Sequence, residues 1–149
     1  MTLASSSRNA GVLLDAHLAL IGTDIERWLE LFAEDAIVEF PYAPSLGVPA
    51  RLEGKEAIRR YFIETPKHFL GFVFTNLRRY LTTDPEVALA EVHGAATIAM
   101  TGRPYEQDYV MLVKARDGKI ALYREYWDPI PGLKAFGGEA NLQRMVSAS

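Results

Sequence analysis

The run YEQDYVMLVKAR at 105–116, the pair Asp117-Gly118 and the run IALYREYWD at 120–128 decide how this chain is read. Each run alternates apolar and polar residues, the period of a half-buried strand. Asp-Gly between two such runs is a two-residue hairpin signal, because both central residues of the favoured turn need positive φ. Upstream the same pattern continues, with a run over Phe72–Leu81, a turn at Thr83-Asp-Pro85, a run over Val87–Met100 and a turn at Thr101-Gly102. These strands run about 9 to 14 residues against a usual mode of about 5–6, and hairpin strands that long coil around something.

The something lies before them. Residues 10–21 predict a helix that is apolar almost all round, ended by Gly22. Thr23-Asp-Ile-Glu26 reads as a capping box with Thr23 as N-cap, opening a second helix with Ile25, Trp28, Leu29 and Phe32 on one face. A strand follows at Ala36–Phe40, and Pro41, Pro44 and Pro49 lay out an extended loop. Gly54 introduces a third helix carrying Ile58, Tyr61, Phe62 and Thr65 on one face, stopped by Pro66. Helices first and a long meander after them predict an α+β fold: a curved antiparallel sheet with about three N-terminal helices packed on one face. The 149 residues fit one domain. Residues 1–8 are Ser-rich and expected to fray, and 129–149 form a C-terminal extension with one short helix near Ala140–Val146.

Composition narrows the partners. The chain is 49% hydrophobic and carries a net charge of −3. Its basic clusters are two pairs, Arg59-Arg60 and Arg78-Arg79, so neither nucleic acid nor a membrane surface is expected as a partner. No cysteine is present, which removes disulfides, thiolate nucleophiles and zinc-thiolate sites. The three histidines are scattered at 17, 68 and 93, and no metal or other cofactor is expected. The N-terminus lacks a charged segment followed by an apolar run, and no stretch reaches the about 18 apolar residues of a membrane helix. A cytoplasmic protein acting on a small-molecule ligand is the expectation.

Three segments, LFAEDAIVEF (31–40), GKEAIRRYF (54–62) and DGKI (117–120) ahead of YREYWDP (123–129), resemble the SnoaL-like branch of the nuclear-transport-factor-2-like superfamily. The resemblance spans about residues 10–136 and implies a cone-shaped fold with a deep pocket, most often dimeric. It does not imply one reaction. Ketosteroid isomerase places its base where this chain has Phe40, and its two oxyanion donors near Ala16 and Val110, so that chemistry is not expected. The last-strand acid of limonene epoxide hydrolase matches Glu125, but its other two partners fall near Val92 and Gly94. The Thr-Asp-Pro turn, Glu91…Gly94 and Arg124-Glu125-Tyr126 look most like the small phenazine-biosynthesis proteins of this fold. In that group the matching glutamate is an acid/base, which makes Glu125 the carried-over candidate.

Period two puts Tyr123, Glu125 and Trp127 on one face of the last strand. A carboxylate between two large aromatics loses its water, and that raises its pKa towards a general acid's range. The alternatives are a solvated face or a cross-strand ion pair. Asp108, with Val110 and Leu112, reads either as a second inward carboxylate or as a surface acid. Glu91 and His93 read either as a proton relay or as a polar stripe outside. His17, among Leu13, Leu14, Leu20 and Ile21, is either a satisfied core histidine or a pocket residue; His68 is a loop residue or a base at the pocket mouth. Phe40, Tyr42, Phe62, Phe72, Phe74, Tyr109, Tyr123 and Trp127 supply an aromatic lining on the expected fold. The sequence therefore points to cofactor-independent isomerisation, cyclisation or dehydration of an apolar cyclic or polyketide-like compound. A non-catalytic ligand-binding or assembly domain and an epoxide or lactone hydrolase are the rivals.

Overall fold

The computed structural model describes residues 8–147. The frayed start expected over residues 1–8 lies, but for Arg8, outside the described residues. Helix α1 spans Ala10–Leu20, with the Asn9 side chain accepting from Val12 N–H at 3.1 Å. It buries Leu13, Leu14 and His17 but leaves Val12 half exposed, so its outer side is not covered. Helix α2, Ile25–Leu29, is capped by Asp24 rather than Thr23, the Asp24 carboxylate accepting from Arg27 N–H at 3.1 Å. Thr23 is spent on the preceding helix: its hydroxyl donates to the carbonyls of Ala19 and Leu20, orphan acceptors at the end of α1. Phe32 leaves the helix altogether and opens strand β1, Phe32–Glu39, still packed on Trp28 at 4.6 Å between ring centroids.

A short strand β2, Arg51–Glu53, follows the proline-laid loop and pairs antiparallel with β1. Helix α3 covers Lys55–Glu64 and runs into one tight turn at Thr65–His68. Then come β3 (Phe69–Leu81), β4 (Val87–Ile98), β5 (Pro104–Arg116) and β6 (Lys119–Trp127). Asp117 and Gly118 both take positive φ, 52° and 74°, as the Asp-Gly turn requires. The six strands order β2-β1-β6-β5-β4-β3, so the sheet is curved and unclosed. All pairings are antiparallel except one: β1 lies parallel to β6, with Val38 opposite Tyr123.

The tail forms two helices rather than one, α4 (Pro129–Phe136) and α5 (Glu139–Ser147). Gly137 and Gly138, at φ 78° and 129°, turn the chain between them. The core divides accordingly. One cluster packs α1, Trp28 and α3 on the sheet's inner face, against Ala88, Ala90, Met111, Val113 and Tyr123. A second packs Phe136, Leu142 and Met145 against Leu46, Ile98 and Tyr105, so the C-terminal helices cover one end of the sheet.

Candidate active site

Between the two clusters lies a cavity of about 520 Å³, within the size range of small-molecule sites. Its walls are aromatic: Phe40, Phe62, Phe72, Phe74 and Trp127 all face it. Gly94 makes room for two of these rings. A Cβ there would lie 2.6 Å from Phe72 Cζ and 2.8 Å from Tyr109 Cε2, closer than side chains tolerate.

Glu125 projects into this cavity from β6, opposite Met111. Tyr123, two residues earlier on the same face and fully buried, donates its phenol proton to Glu125 Oε2. Loss of water on burial raises the Glu125 carboxyl to about 7, the Tyr123 hydrogen bond pulling the other way. The phenols around it are all held protonated by burial. Tyr105 is pushed up to about 12, and Tyr61, Tyr109 and Tyr123 are also raised, with the Glu125 charge adding to the effect in each. Tyr105 and Tyr109 share a hydrogen bond at 2.8 Å between their hydroxyls. The site therefore holds one acid poised near neutrality among phenols held protonated.

Strand parity decides what stands beside Glu125. On β5, Tyr105, Gln107, Tyr109 and Met111 point inward and are buried. Asp108 points out, its side chain 92% exposed, which corrects the reading that it joins Glu125. Alternation admits only one of Asp108 and Tyr109, and the larger apolar ring takes the inside. His93 is on the outer face as well, between Asp108 at 2.8 Å and Glu106 at 3.0 Å. Those two bonds raise its pKa, Asp108 first. Val92 and Ala90 face in instead.

Four residues expected in the lining stand elsewhere. His17 is fully buried behind the cavity, accepting from Trp28 Nε1–H at 2.9 Å, with its ring tilted against that of Tyr123 at 4.4 Å between centroids. Tyr123 itself supports Glu125 without lining the space. Tyr42 is 50% exposed, beside a shallow surface hollow with Asp108 and Tyr126. His68 sits on the turn after α3, outside the lining, with its carbonyl accepting from Ala99 N–H. Conversely, Tyr61, Tyr105 and Gln107 line the cavity without having been singled out. Period-two counting back from Tyr109 reaches both Gln107 and Tyr105; Tyr61 lay on the α3 face that reads as core.

Among the described residues, no three His, Asp or Glu side chains converge as a metal site, and no helix is long and apolar enough to cross a membrane. A SnoaL-like domain model matches residues 15–123. The chain belongs to the SnoaL-like family, a branch of the nuclear-transport-factor-2-like superfamily. This SnoaL-like chain is 37% identical over 142 residues to an uncharacterised PhzA/B-like protein of Pseudomonas aeruginosa, covering 95% of this chain and 99% of that one. Its fold matches the crystal structure of a candidate isomerase from Bacillus subtilis with a TM-score of 0.76 at 39% identity, over 87% of this chain and 93% of that one. The phenazine biosynthesis-related protein PhzB2 of Pseudomonas aeruginosa follows at a TM-score of 0.75 and 24% identity, over 87% and 85% of the two chains, a likeness of fold.

Proposed function

We propose that this SnoaL-like protein is an enzyme that moves protons on a bound, largely apolar cyclic or polyketide-like compound, without a cofactor. Isomerisation, cyclisation and dehydration are the reactions in range, with Glu125 as acid/base. The observation that carries this reading is the Glu125 carboxyl held near pKa 7 inside an aromatic cavity. At neutral pH such a group exists in both forms in comparable amounts. Its acid form donates to a leaving hydroxyl or a carbonyl oxygen; its carboxylate form accepts the proton released from carbon. The Tyr123 phenol steadies the carboxylate between the two steps. The Tyr105–Tyr109 pair, held protonated, offers a hydrogen-bond donor to oxygen charge that develops nearby.

The test is a panel of hydroxy-ketone and polyketide-like ring compounds, followed by product analysis and by binding. Glu125→Gln should lower turnover by about 10²–10⁴-fold while ligand affinity stays within a few-fold. Wild-type turnover should change with an inflection near pH 7, and the variant should lack it. Undiminished turnover in Glu125→Gln removes the acid/base role. Binding of several compounds with turnover of none favours the rival reading, a ligand-binding or assembly domain. A hydrolase of epoxides or lactones has less support, because the two groups expected to hold its water beside Glu125 are not in the cavity. Asp108 and His93 face outward, and both ends of the Gln107 amide are engaged by Asp128. The family resemblance also supports a homodimer, and the length and composition of the chain support one domain working in the cytoplasm; sedimentation of the purified chain tests the dimer.

A further inference from the structure

The charge inventory of the cavity says what kind of molecule Glu125 meets. Its charged side chains are two acids, Glu125 and Asp128; among the described residues no Lys, Arg or His lines it. Residues 1–7 and 148–149 contain none either. Three arginines on neighbouring elements are committed elsewhere. Arg124 turns to the outer face and donates to Glu39 at 2.8 Å, Arg103 donates to the Lys134 carbonyl at 2.8 Å, and Arg59 pairs with Glu26.

The first three residues of helix α4 offer no free backbone donor either. Helix α4 begins at the cavity wall, and a helix N-terminus is a ready anion site. Two of its first three residues, Pro129 and Pro131, have no N–H, and the N–H of Ile130 between them is taken by the Asp128 carboxylate at 2.9 Å. The Gln107 amide, an uncharged group, is engaged as well, donating to the Asp128 carbonyl at 2.7 Å, accepting from Asp128 N–H at 3.1 Å and hydrogen-bonding Tyr105.

We propose that the cavity selects an uncharged ring compound, with its oxygens as hydroxyl, carbonyl or ester, and rejects carboxylates, sulfates and phosphates. This rests on the reading of Glu125 as the group that works on the ligand. An anionic ligand would bring a second unpaired charge into the same aromatic enclosure, with no cation to offset either. An ammonium ligand would find aromatic faces and a carboxylate. It would also have to displace the state in which Tyr123 already donates to Glu125 and burial favours the neutral acid. The uncharged ligand leaves that arrangement intact.

Calorimetric titration of the whole protein with 2-naphthamide, 2-naphthoate and 2-naphthylmethylamine compares one scaffold in three charge states. At pH 8 the amide should bind at least about 30-fold more tightly than the carboxylate. That ratio should narrow at pH 5.5 and in Glu125→Gln, both of which remove the Glu125 charge. Naphthoate binding as tightly as the amide, or more tightly, overturns the proposal, and so does tighter binding of the amine, which would mark an organic-cation site. Failure of all three to bind overturns it for ring compounds of this size. None of these outcomes reads turnover, so the proton-transfer role stands or falls separately, on the compound panel and the Glu125→Gln turnover.

Discussion

Glu125 and His17 act on stability with opposite pH dependence, although both are buried. His17 accepts from Trp28 at Nδ1, which places its own proton on Nε2, 3.4 Å from Met111 Sδ. Burial lowers its pKa from 6.5 to about 3. Between those values the unfolded chain binds the extra proton, so this contribution is full above pH 6.5 and is lost as pH falls towards 3. Glu125 is raised from 4.5 to about 7, so there the folded chain holds the extra proton. Stability from this group falls as pH rises from 4.5 to 7 and levels off above. Glu125→Gln should therefore gain in melting temperature relative to wild type across that window; a pH-independent difference would show that Glu125 does not carry the shift. Gly94 makes a second prediction at this scale. Gly94→Ala drives a methyl into Phe72 and Tyr109 and should cost about 1–3 kcal/mol in denaturant unfolding, with weaker ligand binding as the cavity wall shifts.

Single elements owe their ends to side chains that continue the backbone's hydrogen bonding. Gln107 on β5 behaves as one more rung of the ladder, closing on both polar groups of the Asp128 backbone where β6 gives way to α4. Gln107→Leu keeps the volume but leaves those two groups unpaired in a part-buried place, and should cost about 2 kcal/mol in chemical denaturation. Unchanged stability would mean that water replaces the amide without penalty. The start of α2 shows how a cap is chosen. Thr23 and Asp24 both suit the position, and the hydroxyl goes to the carbonyls ending α1 while the carboxylate takes the N–H group of Arg27. Two hydrogen-bonding needs one residue apart were met by two residues, which no capping-box pattern distinguishes.

At the scale of the whole molecule, the cavity exists because the C-terminal helices close an end that the sheet leaves open. Phe136 anchors that closure, fully buried and edge-on to Phe69 at 5.6 Å. Phe136→Ala should cost about 3–5 kcal/mol and release α4 and α5 from the sheet. Hydrogen exchange in α4 and α5 should then rise well above that in β4 and β5. Equal acceleration in the sheet would mean that the two clusters unfold as one unit. Thr101 and Arg103, on the β4–β5 hairpin, reinforce the closure by donating to the Ala135 and Lys134 carbonyls.

Period and turn chemistry by themselves determined much of this protein: the long β3–β6 meander, the Asp-Gly turn, and the shared face of Tyr123, Glu125 and Trp127. These are local properties, set by bonds and steric preferences within a few residues. The sequence likewise carried the family through ordered motifs from residue 31 to residue 129. Only the tertiary structure decided which face of each strand turns inward. Asp108 and Tyr109 are equally legible neighbours, and their fates depend on what the curved sheet packs against. The parallel pairing of β1 with β6 joins segments about 85 residues apart, with no local signal in either. The Glu125 environment is of the same kind, because its loss of water comes from residues on α3, β3, β5 and β6 that meet only in the folded chain.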